Sequence, residues 1–275
     1  MSSDPLNGLQ VLVTRPQPHG ERLAARVQAA GGEAFVYPVI DIVPRELTPT
    51  EQNCIAELDR YSGVISVSVA ASELGVEACE ARWPQWPLDQ TWYTVGPASG
   101  KPLEGRGLNL HIAVAGSSSE TLLALPEFQA DHVAGQRFLI LRGKGGRELL
   151  ANTLRERGAQ VDFVELYTRP PAANDPACLQ RFLTSSAPRV ALITNGESLQ
   201  QLLLQAGEGR ERLLQCPVIV VSGRLADYAM QQGFTEVHTA SGAHDDALLA
   251  SLCSFADAAQ ISPQHPSQPH FSSKT

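Results

Sequence analysis

Arg15 and Arg142 each stand directly after a short run of apolar residues, and Arg147 closes the loop Arg142-Gly-Lys-Gly-Gly-Arg147. A guanidinium can fork two parallel hydrogen bonds onto one carboxylate or phosphate, so these positions suit an anionic ligand. Thr14, Ser68, Gly96, Ser119, Gly143, Thr194 and Ser222 occupy similar places, at or just after the end of an apolar run and before a helical stretch. Small hydroxyl and glycine residues let a ligand approach the backbone. The helix that follows aims its free N–H groups and positive dipole end at the same point. The same residue types also serve as helix N-caps and turn formers, and type alone leaves both readings open. For Arg15 a structural ion pair is an equal reading. Tyr167 ends the run VDFVELY just before Thr-Arg-Pro-Pro. Its phenol can donate or accept a proton, or simply be a half-buried aromatic with a satisfied hydroxyl.

Other chemistry is not indicated. The glycines around Lys144 make neither GxxxxGK[ST] nor GxGxxG, so a nucleotide site does not follow from them. There is no GxSxG elbow; GSSSE at 116–120 is not one. Asp245 and Asp246 precede an apolar helical stretch, where favourable interaction with the helix N-terminus is the expected role. The 5 cysteines are scattered singly without CxxC, and the 7 histidines show no ligand spacing, so no metal site is expected.

The elements that must position these residues come twice. LQVLVTRPQPHGERLAARVQAAGGEAFVYPVI resembles QRFLILRGKGGRELLANTLRERGAQVDFVELY, with Arg15 on Arg142 and Gly31 on Gly158 at one interval. Ser68 then matches Thr194, and Gly96, Gly107 and Gly116 match Ser222, Gly233 and Gly242, at an interval one residue shorter. Two equivalent halves, about 9–128 and 136–255, result. Each alternates branched apolar runs such as VLVT, VISVS, WYTV and VIVV with helical stretches, which predicts parallel sheets covered by helices. Ligands of such sheets bind beyond the carboxyl ends of the strands. Gly31 and Gly158 fall where helix C-caps are expected. The proline-punctuated segments 38–46 and 169–172 could pair as a hinge. A single large doubly wound domain is the alternative.

The chain has 275 residues, 43% hydrophobic and 18% charged, with net charge −8. That composition supports a sizeable core and excludes global disorder. The acidic balance argues against nucleic acid as a partner. No apolar run would span a bilayer and no signal peptide is visible, so a cytoplasmic protein without membrane contact is expected. The Pro/Ser-rich end, 259–275, reads as a disordered tail.

Together these residues resemble the uroporphyrinogen-III synthase family over nearly all of 9–255. The carriers are VLVTRP (11–16), TVGPAS (94–99), SSSETLLALP (117–126), LRGKGGRELLANTLRERGAQVDFVELYTR (141–169) and VSGRLADYAMQQGF (221–234). The resemblance implies an α/β fold of two flavodoxin-like parallel-sheet domains joined by a two-stranded β linker. Domain 1 would combine 1–38 with 172–258, domain 2 would be 43–166, and 39–42 with 167–171 would link them. The first βα unit of each half is thereby exchanged into the opposite domain. The implied activity is that of a cyclising hydro-lyase. It converts hydroxymethylbilane, a linear tetrapyrrole, to uroporphyrinogen III with ring D inverted and water lost, in a cleft between the domains and without cofactor or metal. Tyr167 matches the family's general acid. Thr14, Arg15, Ser68, Gly96, Ser119, Arg142, Gly143, Arg147, Thr194 and Ser222 would bind the substrate. A monomer is expected, with transient contact to the enzyme that supplies the substrate. Ser68-Val-Ala replaces the family's usual Asn-Ala pair after this strand, and Thr194-Asn195 its usual Thr-Ser. A two-lobed anion-binding or regulatory protein on the same fold is the alternative.

Overall fold

Branched apolar runs become strands in the computed structural model, which describes residues 4–87, 89–113, 119–146 and 148–259. In chain order these are β1 (Gln10–Val13), β2 (Glu33–Val36), β3 (Val43–Pro44), β4 (Gly63–Ser66), β5 (Thr91–Thr94) and β6 (Asn109–Ile112). The second half supplies β7 (Arg137–Gly143), β8 (Gln160–Thr168), β9 (Arg189–Ile193), β10 (Val218–Val220) and β11 (Val237–Thr239). They form a 5-stranded sheet, β11-β10-β9-β1-β2, and a 6-stranded sheet, β3-β8-β7-β4-β5-β6. All pairs are parallel except β3 with β8. Two compact units follow. One takes the described residues through Val39 and again from Ala172 onward; the other is Ile40–Pro171.

The repeat thus does not fold as two successive blocks. β1 of the first half pairs with β9 of the second, and β7 of the second with β4 of the first. Each sheet is apolar on both faces because helices cover both. In the first unit Leu12 enters one core layer while Val11 and Val13 enter the other. In the second, Leu139 and Leu141 of β7 face one layer and Phe138 and Ile140 the opposite one. The period of two along a strand produces this division.

The helices His19–Ala29 and Leu149–Glu156 end alike. Gly31 and Gly158 have φ of 87° and 90°, a left-handed conformation that costs glycine nothing. Gly32 N then donates to Val27 O, and Ala159 N to Leu154 O, both at 3.0 Å. The expected helix stops are therefore real in both halves.

At the two ends of the second unit, residues 40–44 pair with residues 167–171. Ile40 bridges Pro171 in antiparallel sense, Asp41 N donates to Pro170 O, and Val43 and Pro44 lie opposite Thr168 and Tyr167. Proline is tolerated in β3 because this strand lies at the sheet edge. One buried carboxylate secures this corner. Glu51 sits in the first turn of the helix Pro49–Ala56, whose cap Thr48 forms a capping box with it. The carboxylate accepts from Thr48 N and Thr48 Oγ1 at 2.8 Å, from Arg45 Nη1 at 2.8 Å, and from Glu165 N of β8 at 2.9 Å.

Candidate active site

At the carboxyl edge of the 5-stranded sheet, the side chain of Thr14 turns inward. It is fully buried, and its Oγ1 donates to Leu192 O of the neighbouring strand at 2.6 Å. The side chain is therefore a clasp between β1 and β9. Thr14→Val keeps the shape but leaves the Leu192 carbonyl short of a donor. We expect it to lower stability by about 1–2 kcal/mol, read as a shift in thermal unfolding by far-UV circular dichroism.

Arg15 takes the ion-pair role. Its Nη1 meets Asp245 Oδ1 at 2.5 Å, and Arg22 Nε meets the second oxygen at 2.8 Å. Burial pushes the Arg15 guanidinium down, partly offset by Asp245. Burial by itself would raise the Asp245 carboxyl. The hydrogen bond from Arg22 and the charge of Arg15 outweigh that effect and hold it below the usual range. His19 is kept low by burial first, then by Arg15 and Arg22. Asp245 and Asp246 do lie in the first turn of the helix Asp245–Ala258, but the cap is His244, whose Nδ1 accepts from Ala247 N. Thr194 is half-buried at the end of β9, and Asn195 caps the next helix by accepting from Ser198 N at 2.7 Å. Ser222 does the same after β10, accepting from Leu225 N at 3.3 Å.

The 6-stranded sheet brings Tyr167 to Ser68. Ser68 caps the helix Val69–Arg82 by accepting from Ala71 N at 3.1 Å, and the Tyr167 hydroxyl lies 3.0 Å from the same Oγ. A bulge makes this possible. Arg142 lies opposite Glu165, but Gly143 lies opposite Tyr167, so Leu166 is an extra residue on β8. Strict alternation would send Tyr167 to the face of Val161 and Phe163. The extra residue returns it to the layer of Val164 and Leu166, where Ala71 and Val76 of the capped helix also pack. Tyr167 is 4% exposed.

Gly143 is needed for a steric reason. A Cβ there would stand 2.6 Å from Tyr167 Cε2 and 2.7 Å from Cζ, well inside contact distance. Arg142 is buried within its own loop. It lies 4.7 Å above the Phe163 ring, pairs with Glu148 at 3.0 Å and donates to the Gly143 and Gly145 carbonyls. Its donors organise the loop rather than standing open as a fork. Gly96 is buried, and its carbonyl accepts from Thr94 Oγ1 at 3.2 Å. Ser72 Oγ meets Ser66 Oγ at 2.7 Å and donates to Ser99 O at 2.6 Å, which ties that turn to the Ser68 helix. Ser119 opens the short helix Ser119–Leu123. Arg147, Gly116 and the tail from 260 onward lie outside the described residues.

Sequence reading had not singled out Arg169 or the Glu51 carboxylate. For Arg169 the signal was present: it is two residues beyond Tyr167 in an extended segment, which places both on one side. For Glu51 the capping box ThrxxGlu was visible, but its bond to β8 was not. Among the described residues no three His, Cys, Asp or Glu side chains are grouped as a metal site would need.

Comparison with known proteins agrees with this architecture. Two crystal structures share the fold at 17% identity: a mutant uroporphyrinogen III synthase from the extremely thermophilic bacterium Thermus thermophilus and uroporphyrinogen-III synthetase from Helicobacter pylori. The first has a TM-score of 0.59 and covers 92% of this chain and 99% of its own; the second has 0.52, 90% and 98%. Uroporphyrinogen-III synthase from Salmonella typhimurium is 35% identical over 247 residues, 89% of this chain and 100% of that protein. Its Escherichia coli namesake is 34% identical over 250 residues, again 89% and 100%. The family profile described as uroporphyrinogen-III synthase HemD matches residues 21–250. A match of that extent, on relatives spanned end to end, makes this chain a member of the uroporphyrinogen-III synthase family.

Proposed function

We propose that the chain is a uroporphyrinogen-III synthase, a cyclising hydro-lyase that converts hydroxymethylbilane to uroporphyrinogen III. The hydroxyl of the hydroxymethyl group on ring A leaves as water, its methylene carbon stays on the ring, and an azafulvene remains. The substituted carbon of ring D attacks it, and the spiro intermediate fragments and recloses with ring D inverted. Spontaneous closure uses the unsubstituted position and gives the I isomer. The protein's task is therefore to hold the chain so that the disfavoured carbon is nearer, which is catalysis by proximity.

The observation that carries this reading to a residue is the Tyr167 hydroxyl, 3.0 Å from Ser68 Oγ at a helix N-terminus. In our mechanism Tyr167 gives its proton to the departing hydroxyl. Ser68 already accepts from Ala71 N, and its own O–H can then turn towards the phenol oxygen. The positive end of the helix Val69–Arg82 favours the charge left there.

The substrate is a polycarboxylate. We assign its binding to the strand tips at Arg15, Thr194 and Ser222 in one unit and Ser68, Gly96, Ser119 and the Arg142–Gly143 loop in the other. Backbone N–H groups do much of the work, since several of these side chains are already engaged. Residues 1–38 with 172–258 and residues 43–166 are read as the two domains, linked by 39–42 and 167–171. The division of the chain into two compact units at Val39/Ile40 and Pro171/Ala172 supports this reading. We place the activity in the cytoplasm, in a monomer that meets the supplying enzyme transiently. Among the described residues no helix is long and apolar enough to cross a membrane.

The test is isomer analysis. Purified protein incubated with hydroxymethylbilane should yield the III isomer almost exclusively. Accumulation of the I isomer alone, at the spontaneous rate, would overturn the assignment.

A further inference from the structure

Tyr167 is held by its backbone carbonyl from the neighbouring loop and at its ring from its own strand. Lys144 N donates to Tyr167 O at 2.7 Å, and Arg169 Nη2 donates to Lys144 O at 3.1 Å. The Arg169 guanidinium carbon then lies 5.7 Å from the centre of the Tyr167 ring. Gly143, which precedes Lys144, leaves the space that the ring fills. The loop is closed: backbone to backbone, backbone to guanidinium, guanidinium to ring. Arg169 is half-buried, so its charge is only partly screened.

We propose that Arg169 is a positioning residue for Tyr167, holding the ring on Gly143 and placing a positive charge against it as the phenol releases its proton. This rests on the reading of Tyr167 as proton donor. The negative charge of a phenolate spreads into the ring, where a guanidinium near the π system interacts with it more strongly than with the neutral phenol. Lysine can supply that charge without the planar fork. The role therefore predicts partial rescue by lysine and dependence on the Tyr167 hydroxyl.

The experiment is a double-mutant cycle on hydroxymethylbilane turnover, using Arg169→Ala, Arg169→Lys, Tyr167→Phe and the double variant Arg169→Ala/Tyr167→Phe. Arg169→Ala is expected to lower kcat about five- to thirtyfold, the range of a partly desolvated cation–ring contact. KM should stay within about twofold and the unfolding midpoint should not move. Arg169→Lys should recover most of kcat. In the Tyr167→Phe background, Arg169→Ala should add little, because the oxygen it serves is gone. Four results would overturn the proposal. A rise in KM that persists in the Tyr167→Phe background would mean that Arg169 binds a substrate carboxylate directly. Equal loss in Arg169→Ala and Arg169→Lys, with early melting of both, would mean a structural role only. A wild-type rate in Arg169→Ala would leave it no role, and if Tyr167→Phe were still impaired the proton-donor reading would stand without it. A wild-type rate in Tyr167→Phe itself would remove both.

Discussion

Tyr167→Phe is expected to lower kcat by roughly 10²–10⁴, the usual contribution of a positioned general acid, while the protein stays folded. The substitution removes one oxygen and nothing else. The ring remains packed on Gly143 and in the layer with Val164 and Leu166. Ser68 keeps its bond from Ala71 N, so the helix cap survives. Loss of the Tyr167–Ser68 hydrogen bond should cost about 1 kcal/mol of stability, too little to unfold a domain. Binding and folding of the substrate are left intact, so KM should change little and residual turnover should still favour the III isomer. Because the slow variant competes with spontaneous closure, the I isomer should rise in proportion as enzyme concentration falls. Single-turnover kinetics with isomer separation measures both. A rate near that of the unmodified protein would take Tyr167 out of the chemistry.

Glu51→Gln should produce the largest change in stability. Burial alone would raise the Glu51 carboxyl, but the bonds from Arg45, Thr48 and the Glu165 N–H outweigh it and hold the group at about 2. The direction sets the pH dependence. A carboxyl lowered on folding stabilises the native state above its unfolded pKa, near ~4.5, and this is lost as pH falls through the folded value near 2. The difference corresponds to about 3 kcal/mol at neutral pH. Glutamine is isosteric but neutral, and it turns a donor toward at least one of the groups that now donate to the carboxylate. The variant should therefore lose about 2–3 kcal/mol at pH 7 and progressively less below pH ~4.5 as the parent loses the same contribution. All 3 tryptophans, Trp83, Trp86 and Trp92, belong to the unit that contains Glu51, so urea unfolding followed by tryptophan fluorescence reports that unit. A gap between parent and variant that stayed constant from pH 7 to pH 3 would show that the carboxylate's charge is not what stabilises this corner.

The same residues show how far a chain can be read without its structure. The turns at Ser68, Thr194 and Ser222 were legible as N-caps or anion sites, because either role needs a short polar side chain before a helix, but at the second turn the cap is Asn195 and not Thr194. The structure gives all three a cap, while the N–H groups of the first turns remain at the strand ends. For Arg15 and Arg142, residue type could not say which partner would be near. Asp245 lies far along the chain from Arg15, and the carbonyls that occupy Arg142 become available only through the shape of its own loop.

The sequence by itself determined the duplicated strand-and-helix rhythm, the glycine stops at Gly31 and Gly158, the parallel α/β class and the family, since all of these are written in local pattern or in the order of motifs. It could not determine which strands would be neighbours. A backbone N–H bonds any suitably placed carbonyl, and β1 carries nothing that names β9 rather than β4 as its partner. The exchange is implied by the family resemblance and not by any residue of β1, and the tertiary structure shows the pairs themselves. Only it inserted Leu166 as the bulge that turns Tyr167 towards Ser68, because the face on which a side chain emerges depends on the register of two strands and not on the residues of one.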